Sequence, residues 1–305
     1  MYQIDREGKK TITSMGLKKR TIEREIIFSG VGVHTGQKVN LRLKPSSSGQ
    51  IIFRRLDLGG EEVDLDYRKA KAENSSLLQK DSTVIRTVEH LLATLYVFGL
   101  DSLEIEVDGE EIPAGDGSSR PFVDLIEQAG VAFLAEEKRV IRVKRPVRVE
   151  NDGAWISFLP DSDLYLLYTI DYPHPLIGIQ KYQGYLGLNK FKEEIAPART
   201  FGFLRDVPAM LSRGLARGGS LENAIILDDQ GIVNPPLRFP DEFVRHKVLD
   251  LIGDLALSGQ PLLGRVEVSR GGHKLHQAGL RALLEDKASW EEDEERFPSF
   301  LSESF

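Results

Sequence analysis

The chain has 305 residues, 41% of them hydrophobic and 29% charged, which is ordinary for a globular protein and long enough for two domains. It contains no cysteine, and this excludes disulfides, thiolate metal ligands and cysteine nucleophiles. A formal net charge of −7 without a long basic stretch argues against a general nucleic-acid-binding protein.

The N-terminal residues contain no apolar core of a secretory signal, and nowhere does an apolar run reach the length that spans a membrane. We therefore expect a cytoplasmic protein. Residues 1–19 are polar and are expected to form a flexible N-terminal arm.

The remainder of the first half predicts strands, a helix, one more strand and a second helix, with glycines at the expected helix ends. In chain order, the expected elements are strands at 21–28, 37–43 and 51–53, a helix at 87–98, a strand at 103–107 and a helix at 118–128.

The second half predicts the same order of elements. They are strands at 139–149, 155–159 and 165–170, a helix at 241–258, a strand at 263–268 and a helix at 274–284. The repeated order indicates an α+β protein with two similar domains, at residues 20–133 and 139–285.

Two segments lie outside this repeat. Residues 171–200 are rich in aromatic and branched side chains, and the residues alone favour ordinary core over an apolar binding slot. Residues 286–305 are an acidic tail that is expected to be a solvated extension.

The helix at 241–258 carries the clearest chemical signal. His246, Asp250 and Asp254 follow one another at spacings of four, which places them on one stripe of the helix. A histidine and a carboxylate one turn apart can hold a metal ion, although an ion pair on a solvated face has the same spacing. The stripe contains no lysine or glutamate, the usual surface residues.

Three shorter segments add candidate groups. Glu89 and His90 are expected in the first helical turn, where the histidine can bind a metal and the glutamate can reach a metal-bound water. His273 follows a Gly-Gly turn and can serve as an acid, although a surface histidine fits equally well. The hydroxyl of Thr200 can contact a polar carbonyl of a ligand, and the rings of Phe201 and Phe203 can contact a ring of that ligand. The alternative is that this loop only packs against the core.

The other three histidines have no predicted catalytic role. His34 lies in the Gly-rich turn and is interpreted as a structural histidine, and His174 and His276 are interpreted as surface residues.

Seven segments make the chain resemble the UDP-3-O-acyl-N-acetylglucosamine deacetylases of lipid A biosynthesis. They are GVGVHTG from Gly30, RTVEHLLA from Arg86, EIPAGDGSSRPFV from Glu111, ARTFGFLRD from Ala198, SRGLARGGSLENAI from Ser212, LRFPDEFVRHKVLDLIGDL from Leu237 and GGHKLH from Gly271. They extend in the family's order over about residues 20–285, and RHKxLDxxGDL is highly specific.

The resemblance implies two layered helix-and-sheet domains with the active site between them. It implies hydrolysis of the N-acetyl group of UDP-3-O-(3-hydroxyacyl)-N-acetylglucosamine, an early committed step of lipid A synthesis. By position it assigns the metal to His90, His246 and Asp250, with Glu89 as general base and His273 as general acid. Zinc suits these ligands, and iron(II) suits them as well.

The remaining roles also come from the resemblance. Thr200 would help to bind the oxyanion, Asp254 would orient His273, and Phe201 and Phe203 would flank the substrate. The 171–200 insertion would then be the passage for the acyl chain. Lys247 would lie near the phosphate or the base.

The substrate class sets further expectations. A diphosphate substrate needs local positive groups, for which Lys247 and, as the weaker candidate, Arg270 are placed. The expected partner is the acylated UDP-sugar, with no nucleic acid and no membrane span, and a monomer is expected.

Two other classes of protein stay open from the residues. Two histidines and a carboxylate also form the facial triad of non-haem iron oxygenases, but those sites need no adjacent glutamate base. The other class is a non-catalytic nucleotide-sugar-binding protein, against which the presence of every catalytic residue type argues.

Overall fold

The computed structural model describes residues 2–4, 10–12 and 17–302. Within them the helices are α1 Glu89–Val97, α2 Arg120–Ala129, α3 Leu188–Lys190, α4 Val207–Ser212, α5 Glu242–Leu255 and α6 His273–Glu285. The strands are β1 Tyr2–Ile4, β2 Lys10–Ile12, β3 Lys18–Ile22, β4 Ile26–Val31, β5 Lys38–Pro45, β6 Ile51–Arg55, β7 Glu61–Asp64, β8 Ala70–Ala72, β9 Ser76–Lys80, β10 Thr83–Arg86, β11 Leu103–Val107, β12 Val131–Glu137, β13 Val140–Val143, β14 Val147–Asn151, β15 Ala154–Leu159, β16 Leu164–Tyr172, β17 Gly178–Tyr185, β18 Phe201–Phe203, β19 Ile225–Leu227, β20 Leu262–Ser269 and β21 Trp290–Asp293.

The main sheet of the first half has five strands in the order β4-β5-β11-β6-β7. Along β5, Val39, Leu41 and Leu43 are buried while the residues between them face outward, which is the period-two pattern of a sheet with one covered face. Helix α1 is buried along its whole length and packs against α5. A three-stranded sheet, β10-β9-β8, leads into α1.

The sheet of the second half follows the order β14-β15-β20-β13-β21, and β16 also pairs with β20 and carries β17. Strand β20 is parallel to β13 and β16 and antiparallel to β15. Helix α6 packs on β14 and β15, and α5 packs on β16 and β17.

Each half contains strands, then a helix, a strand and a final helix, although β18, α4 and β19 come before α5 in the second half, and α1 and α5 pack against each other. The repeat of two similar domains stays a prediction. The prediction of an α+β fold is confirmed. Strand β12 pairs with β3, whereas β13 pairs with β20, and the domain limits at 133 and 139 stay predictions. Among the described residues, no helix is long and apolar enough to cross a membrane.

Two predicted strands are each divided in the structure. Residues 21–28 are split between β3 and β4, because β3 pairs with β12 whereas β4 pairs with β5 in the main sheet. Residues 139–149 are split between β13 and β14, because Lys144 and Arg145 donate to the carbonyl of Ser289 and Pro146 follows them.

The prediction of a solvated acidic tail is wrong for β21, Phe300 and Leu301, whereas Glu294 and Glu295 are exposed as expected. Strand β21 lies antiparallel to β13, and Glu291 pairs with Arg142. Phe300 and Leu301 are fully buried. A charged strand at the edge of a sheet has the same composition as a charged segment in solvent. The sequence does not distinguish the two, because the cationic residues that pair with β21 lie far away in the chain. Residues 303–305 lie outside the described residues.

Part of the predicted N-terminal arm, residues 2–4, 10–12 and 17–19, lies within the described residues. Strands β1 and β2 pair antiparallel, and residues 18 and 19 already belong to β3. The rest of the predicted arm, residues 1, 5–9 and 13–16, lies outside the described residues.

Candidate active site

Helices α1 and α5 bring together the three predicted metal ligands. His90 lies in the first turn of α1, and His246 and Asp250 lie one turn apart on α5. The Nε2 atom of His246 is 3.3 Å from Oδ1 of Asp250, and Nε2 of His90 is 3.8 Å from the same oxygen. All three side chains are buried, and one ligand atom from each lies within 4.8 Å of the others.

The protonation states of His246 and Asp250 suit a divalent cation. Nδ1–H of His246 donates to the carbonyl oxygen of Ala198 at 3.0 Å, so the Nε2 lone pair points to Asp250. Burial lowers the pKa of His246 to about 4. Burial by itself raises the pKa of Asp250, but His246 and Lys247 outweigh it and hold that pKa well below the usual value. Neutral imidazole and carboxylate are the forms that bind metals.

The close approach of α1 and α5 depends on Gly253. A Cβ atom at this position would lie 2.2 Å from the carbonyl oxygen of Glu89, which is far inside contact distance. Glycine therefore lets the helix that bears His90 approach the helix that bears His246 and Asp250.

Glu89 lies between the ligand cluster and His273. Its Oε1 is 3.5 Å from Nε2 of His273, and its Oε2 accepts the main-chain N–H of Ser76 at 3.1 Å. Burial raises the pKa of Glu89, while His273 and His90 oppose that shift. A carboxylate with a raised pKa next to a histidine is suited to proton transfer.

His273 begins α6 and is held by Asp254. Its Nδ1 lies 2.8 Å from Oδ2 of Asp254, which leaves Nε2 facing Glu89. Burial by itself lowers the pKa of His273, but Asp254, Glu89 and Asp250 outweigh it and raise the pKa to about 10. Burial likewise raises the pKa of Asp254, and the charge and hydrogen bond of His273 lower it to about 2.

The segment around Thr200 lies beside the cluster. The main-chain N–H of Thr200 donates to the carbonyl oxygen of Gly117 at 2.8 Å. This bond links the segment just before β18 to the first half of the chain. The ring of Phe201 packs edge-on against that of His246, with centroids 6.4 Å apart, and Phe203 packs against Tyr172.

Lys247 lies next to the metal ligands. Its Nζ donates to Oδ2 of Asp250 at 2.9 Å and lies 5.6 Å from the ring centroid of Phe201. Burial by itself lowers the pKa of Lys247, but Asp250 and Tyr172 outweigh it and raise that pKa. The ammonium group is therefore charged.

A cavity of about 400 Å³ opens onto the cluster, and all three ligands, Glu89, His273, Thr200 and Lys247 line it. Its apolar wall comes from residues of the 201–233 segment, namely Phe201, Phe203, Leu204, Val207, Met210, Leu221, Ile226 and Val233.

The expectation that residues 171–200 form the apolar passage is therefore wrong for this cavity. Of that segment, only Thr200 lines the cavity. Leu188, Phe191 and Ile195 are instead fully buried in the core. Hydrophobic composition alone does not distinguish a core segment from a wall, because both bury apolar side chains away from water.

Arg270 lies outside this cavity. It is exposed, with a φ of +54°, and lines a neighbouring cavity of about 730 Å³ together with Gly271, Gly272 and His273. Only His273, of the predicted site residues, lines both spaces.

Two histidines that were expected at the surface are buried. His276 is 1% exposed, with Nδ1 2.8 Å from Asp254 and Nε2 2.9 Å from the hydroxyl of Tyr168. His174 is buried beside Phe203 and contacts the carbonyl of Asp228. His276 lies three residues after His273 on the same helix, and this spacing was the available signal for its proximity to Asp254.

Comparison with known proteins identifies the family. Residues 19–285 match the family model described as UDP-3-O-acyl N-acetylglycosamine deacetylase. The UDP-3-O-acyl-N-acetylglucosamine deacetylase of Sulfurimonas denitrificans is 42% identical over 273 residues, covering 89% of this chain and 93% of the relative. The enzyme of the same name from Histophilus somni is 42% identical over 293 residues, covering 92% and 96%. The chain therefore belongs to the UDP-3-O-acyl-N-acetylglucosamine deacetylase family.

Proposed function

We propose that the protein hydrolyses the N-acetyl group of UDP-3-O-(3-hydroxyacyl)-N-acetylglucosamine. The products are acetate and UDP-3-O-acyl-glucosamine, and the reaction is an early committed step of lipid A synthesis. The observation that carries the proposal is the convergence of two buried histidines and a carboxylate with Glu89 and a charged His273 at one cavity. Membership of the deacetylase family supports the same substrate.

His90, His246 and Asp250 would hold the metal, which we propose to be zinc, with iron(II) as the alternative in the cell. The donor set fits, because two imidazole nitrogens and one carboxylate are ligands that catalytic zinc sites use. When bound, a divalent cation held by these residues would supply Lewis-acid chemistry, lowering the pKa of water and polarising the acetamide carbonyl. The ammonium group of Lys247 donates to Oδ2 of Asp250, the oxygen that does not face His246, and so holds that carboxylate in place.

Glu89 is the proposed general base. It is buried beside the ligands, and Ser76 holds one carboxylate oxygen so that the other faces His273 and the cavity. Glu89 takes a proton from water as the water oxygen attacks the acetyl carbon. General-base catalysis of this kind contributes about 10²–10⁴ in rate.

His273 is the proposed general acid. The C–N bond of the amide breaks readily only if the departing nitrogen receives a proton, because an amide anion is a poor leaving group. The imidazolium form can donate this proton from Nε2, since Asp254 occupies Nδ1 and favours the charged state.

Thr200 would donate to the oxyanion of the tetrahedral intermediate, and Phe201 and Phe203 would flank the substrate. Their positions on the wall of the same cavity support these roles. Arg270, in the neighbouring cavity, would meet the diphosphate. Lys247 lines the same cavity as the metal ligands and would lie near a phosphate of the substrate or near the base. The apolar wall at 201–233 suits a fatty acyl chain.

Two further expectations from the sequence belong to this proposal. We propose that the enzyme acts in the cytoplasm and as a monomer, with an acylated UDP-sugar as its partner.

An iron oxygenase would use the same three ligands, whereas the match of residues 19–285 to the deacetylase family argues for hydrolysis. The acid–base pair of Glu89 and His273 has a defined use in amide hydrolysis, and it therefore favours the deacetylase. Acetate release that continues without dioxygen would separate the two reactions.

The deciding experiment measures acetate release from an acylated UDP-N-acetylglucosamine, before and after chelation and on return of zinc or iron(II). Glu89→Gln should keep the metal and lose about 10²–10⁴ in kcat. The matched control is Glu106→Gln, on β11, whose carboxylate pairs with Lys44. Full activity of Glu89→Gln would refute the assignment of the base, and no release by the wild-type enzyme would refute the function.

A further inference from the structure

Ser76, the first residue of β9, contacts both the base and the acid side of the site. It is 1% exposed. Its main-chain N–H donates to Oε2 of Glu89 at 3.1 Å, and its hydroxyl makes a short contact with Oδ1 of Asp254. One residue of the first half is therefore bonded to a carboxylate from each of the two facing helices.

The hydrogen-bond chemistry gives the Ser76 hydroxyl a single orientation. A carboxylate only accepts, so the hydroxyl must donate its one proton to Asp254. The side-chain amide of Gln277 donates to the same hydroxyl oxygen at 2.8 Å and also to the carbonyl of Lys71 at 3.1 Å. Gln277 lies on α6, so the hydroxyl is held from both sides.

The other oxygen of Asp254 is also saturated. Nδ1 of His273 and Nδ1 of His276 both lie 2.8 Å from Oδ2. Since Nδ1–H of His276 donates to Asp254, its Nε2 accepts from the hydroxyl of Tyr168 at 2.9 Å. The carboxylate that orients His273 is thus fixed by donors on both oxygens, and Ser76 supplies the one on Oδ1.

We propose that Ser76 is a positioning residue that sets the geometry of Glu89 and His273 relative to each other. Its main chain aims the base. Its hydroxyl acts on the acid in two ways, directly at Nδ1 of His273, which lies 3.2 Å from the hydroxyl oxygen, and through Asp254. This inference rests on the proposed function, since it assigns Ser76 to the same reaction. A side chain that only filled space would not need the hydroxyl bond to Asp254.

The test separates the two bonds, because Ser76→Ala removes the hydroxyl and keeps the main-chain N–H. Loss of such a supporting partner typically costs about 10–100-fold, so we expect kcat to fall by that factor. KM should change by less than about twofold and metal content should be unchanged, because the hydroxyl touches neither substrate nor the ligands. Unchanged kcat, or a change confined to KM, would overturn the proposal.

Ser102→Ala is the matched control. Ser102 is equally buried, and its hydroxyl accepts the main-chain N–H of Gly49 away from the site. This variant should lose stability without losing kcat. If Ser76→Ala does not fold, Gln277→Leu replaces it, with an expected loss of about 3–10-fold in kcat. Wild-type kcat in Gln277→Leu would then count against the proposal.

A double variant distinguishes positioning from general support of the fold. If Ser76 acts on the acid, Ser76→Ala should cost less than about twofold in kcat when His273→Ala is already present, because both routes from the hydroxyl end at His273. A full loss in that background would show an independent structural effect and overturn the proposal. The function itself fails only if the wild-type enzyme releases no acetate, so the two failures are distinguishable.

Discussion

Gly253→Ala tests whether the spacing of α1 and α5 sets the metal site. The added Cβ would lie 2.2 Å from the carbonyl oxygen of Glu89, whereas carbon and oxygen atoms in protein contacts lie about 3.3 Å apart or more. The two helices must therefore separate by about 1 Å at this point. His90 comes from one helix and His246 and Asp250 from the other, so their ligand atoms separate with them.

The expected magnitude follows from two opposing effects. Overpacking costs about 1–3 kcal/mol, and alanine gains about 1 kcal/mol over glycine inside a helix. We expect the free energy of unfolding to fall by about 1 kcal/mol and the melting temperature by about 2–4 °C. A misplacement of about 1 Å costs about 10²-fold, so kcat/KM should fall by that factor, although residue 253 faces main chain rather than substrate.

The assay combines acetate release, thermal unfolding and metal affinity measured against a competing chelator. Gly231→Ala is the control, because a Cβ there meets no atom closer than 3.7 Å and the glycine has no positive φ. Wild-type kcat/KM and metal affinity in Gly253→Ala would refute the reasoning, even if the melting temperature fell.

Three further predictions concern the site directly. Asp250→Asn removes the anionic ligand and should weaken metal affinity by at least about 100-fold, measured by chelator competition. Asp254→Asn should move the alkaline fall of kcat/KM to lower pH, because His273 donates only while protonated and Asp254 is the main group that raises its pKa. Return of metal at about 100 times its Kd to the chelated protein should raise the melting temperature by about 5–10 °C and restore acetate release.

Each of these predictions has an outcome that contradicts it. Unaltered metal affinity in Asp250→Asn would remove that residue from the ligand set. An alkaline limb that stays in place in Asp254→Asn would mean that the limb does not report His273. A chelated protein that melts at the same temperature with and without metal would argue against a site built from the three buried ligands.

Local sequence patterns predicted correctly those features that lie within a single helix or in the order of the elements. The spacing of four between His246, Asp250 and Asp254 predicted one helical stripe, and α5 has these three residues buried on it. The repeated order of elements likewise predicted the α+β class. Such features depend on backbone periodicity, which is a property of neighbouring residues.

Sequence patterns did not predict contacts between residues that lie far apart in the chain. The acidic residues of β21 were expected in solvent because their partners on β13 lie far away in the chain. His276 was expected at the surface because only the packing of α6 beside α5 brings it to Asp254. Ser76 had no signal of its own, since its role depends on Glu89 and Asp254 approaching it from two different helices.

The sequence by itself therefore determined the absence of thiol chemistry, the fold class, the family blocks and the helical stripe of candidate ligands. Only the tertiary structure decided that α1 and α5 meet at Gly253, that the 201–233 segment supplies the apolar wall, and that one serine bonds to both Glu89 and Asp254. The physical reason is that periodicity acts over a few residues, whereas distances between catalytic groups are set by packing between elements far apart in the chain.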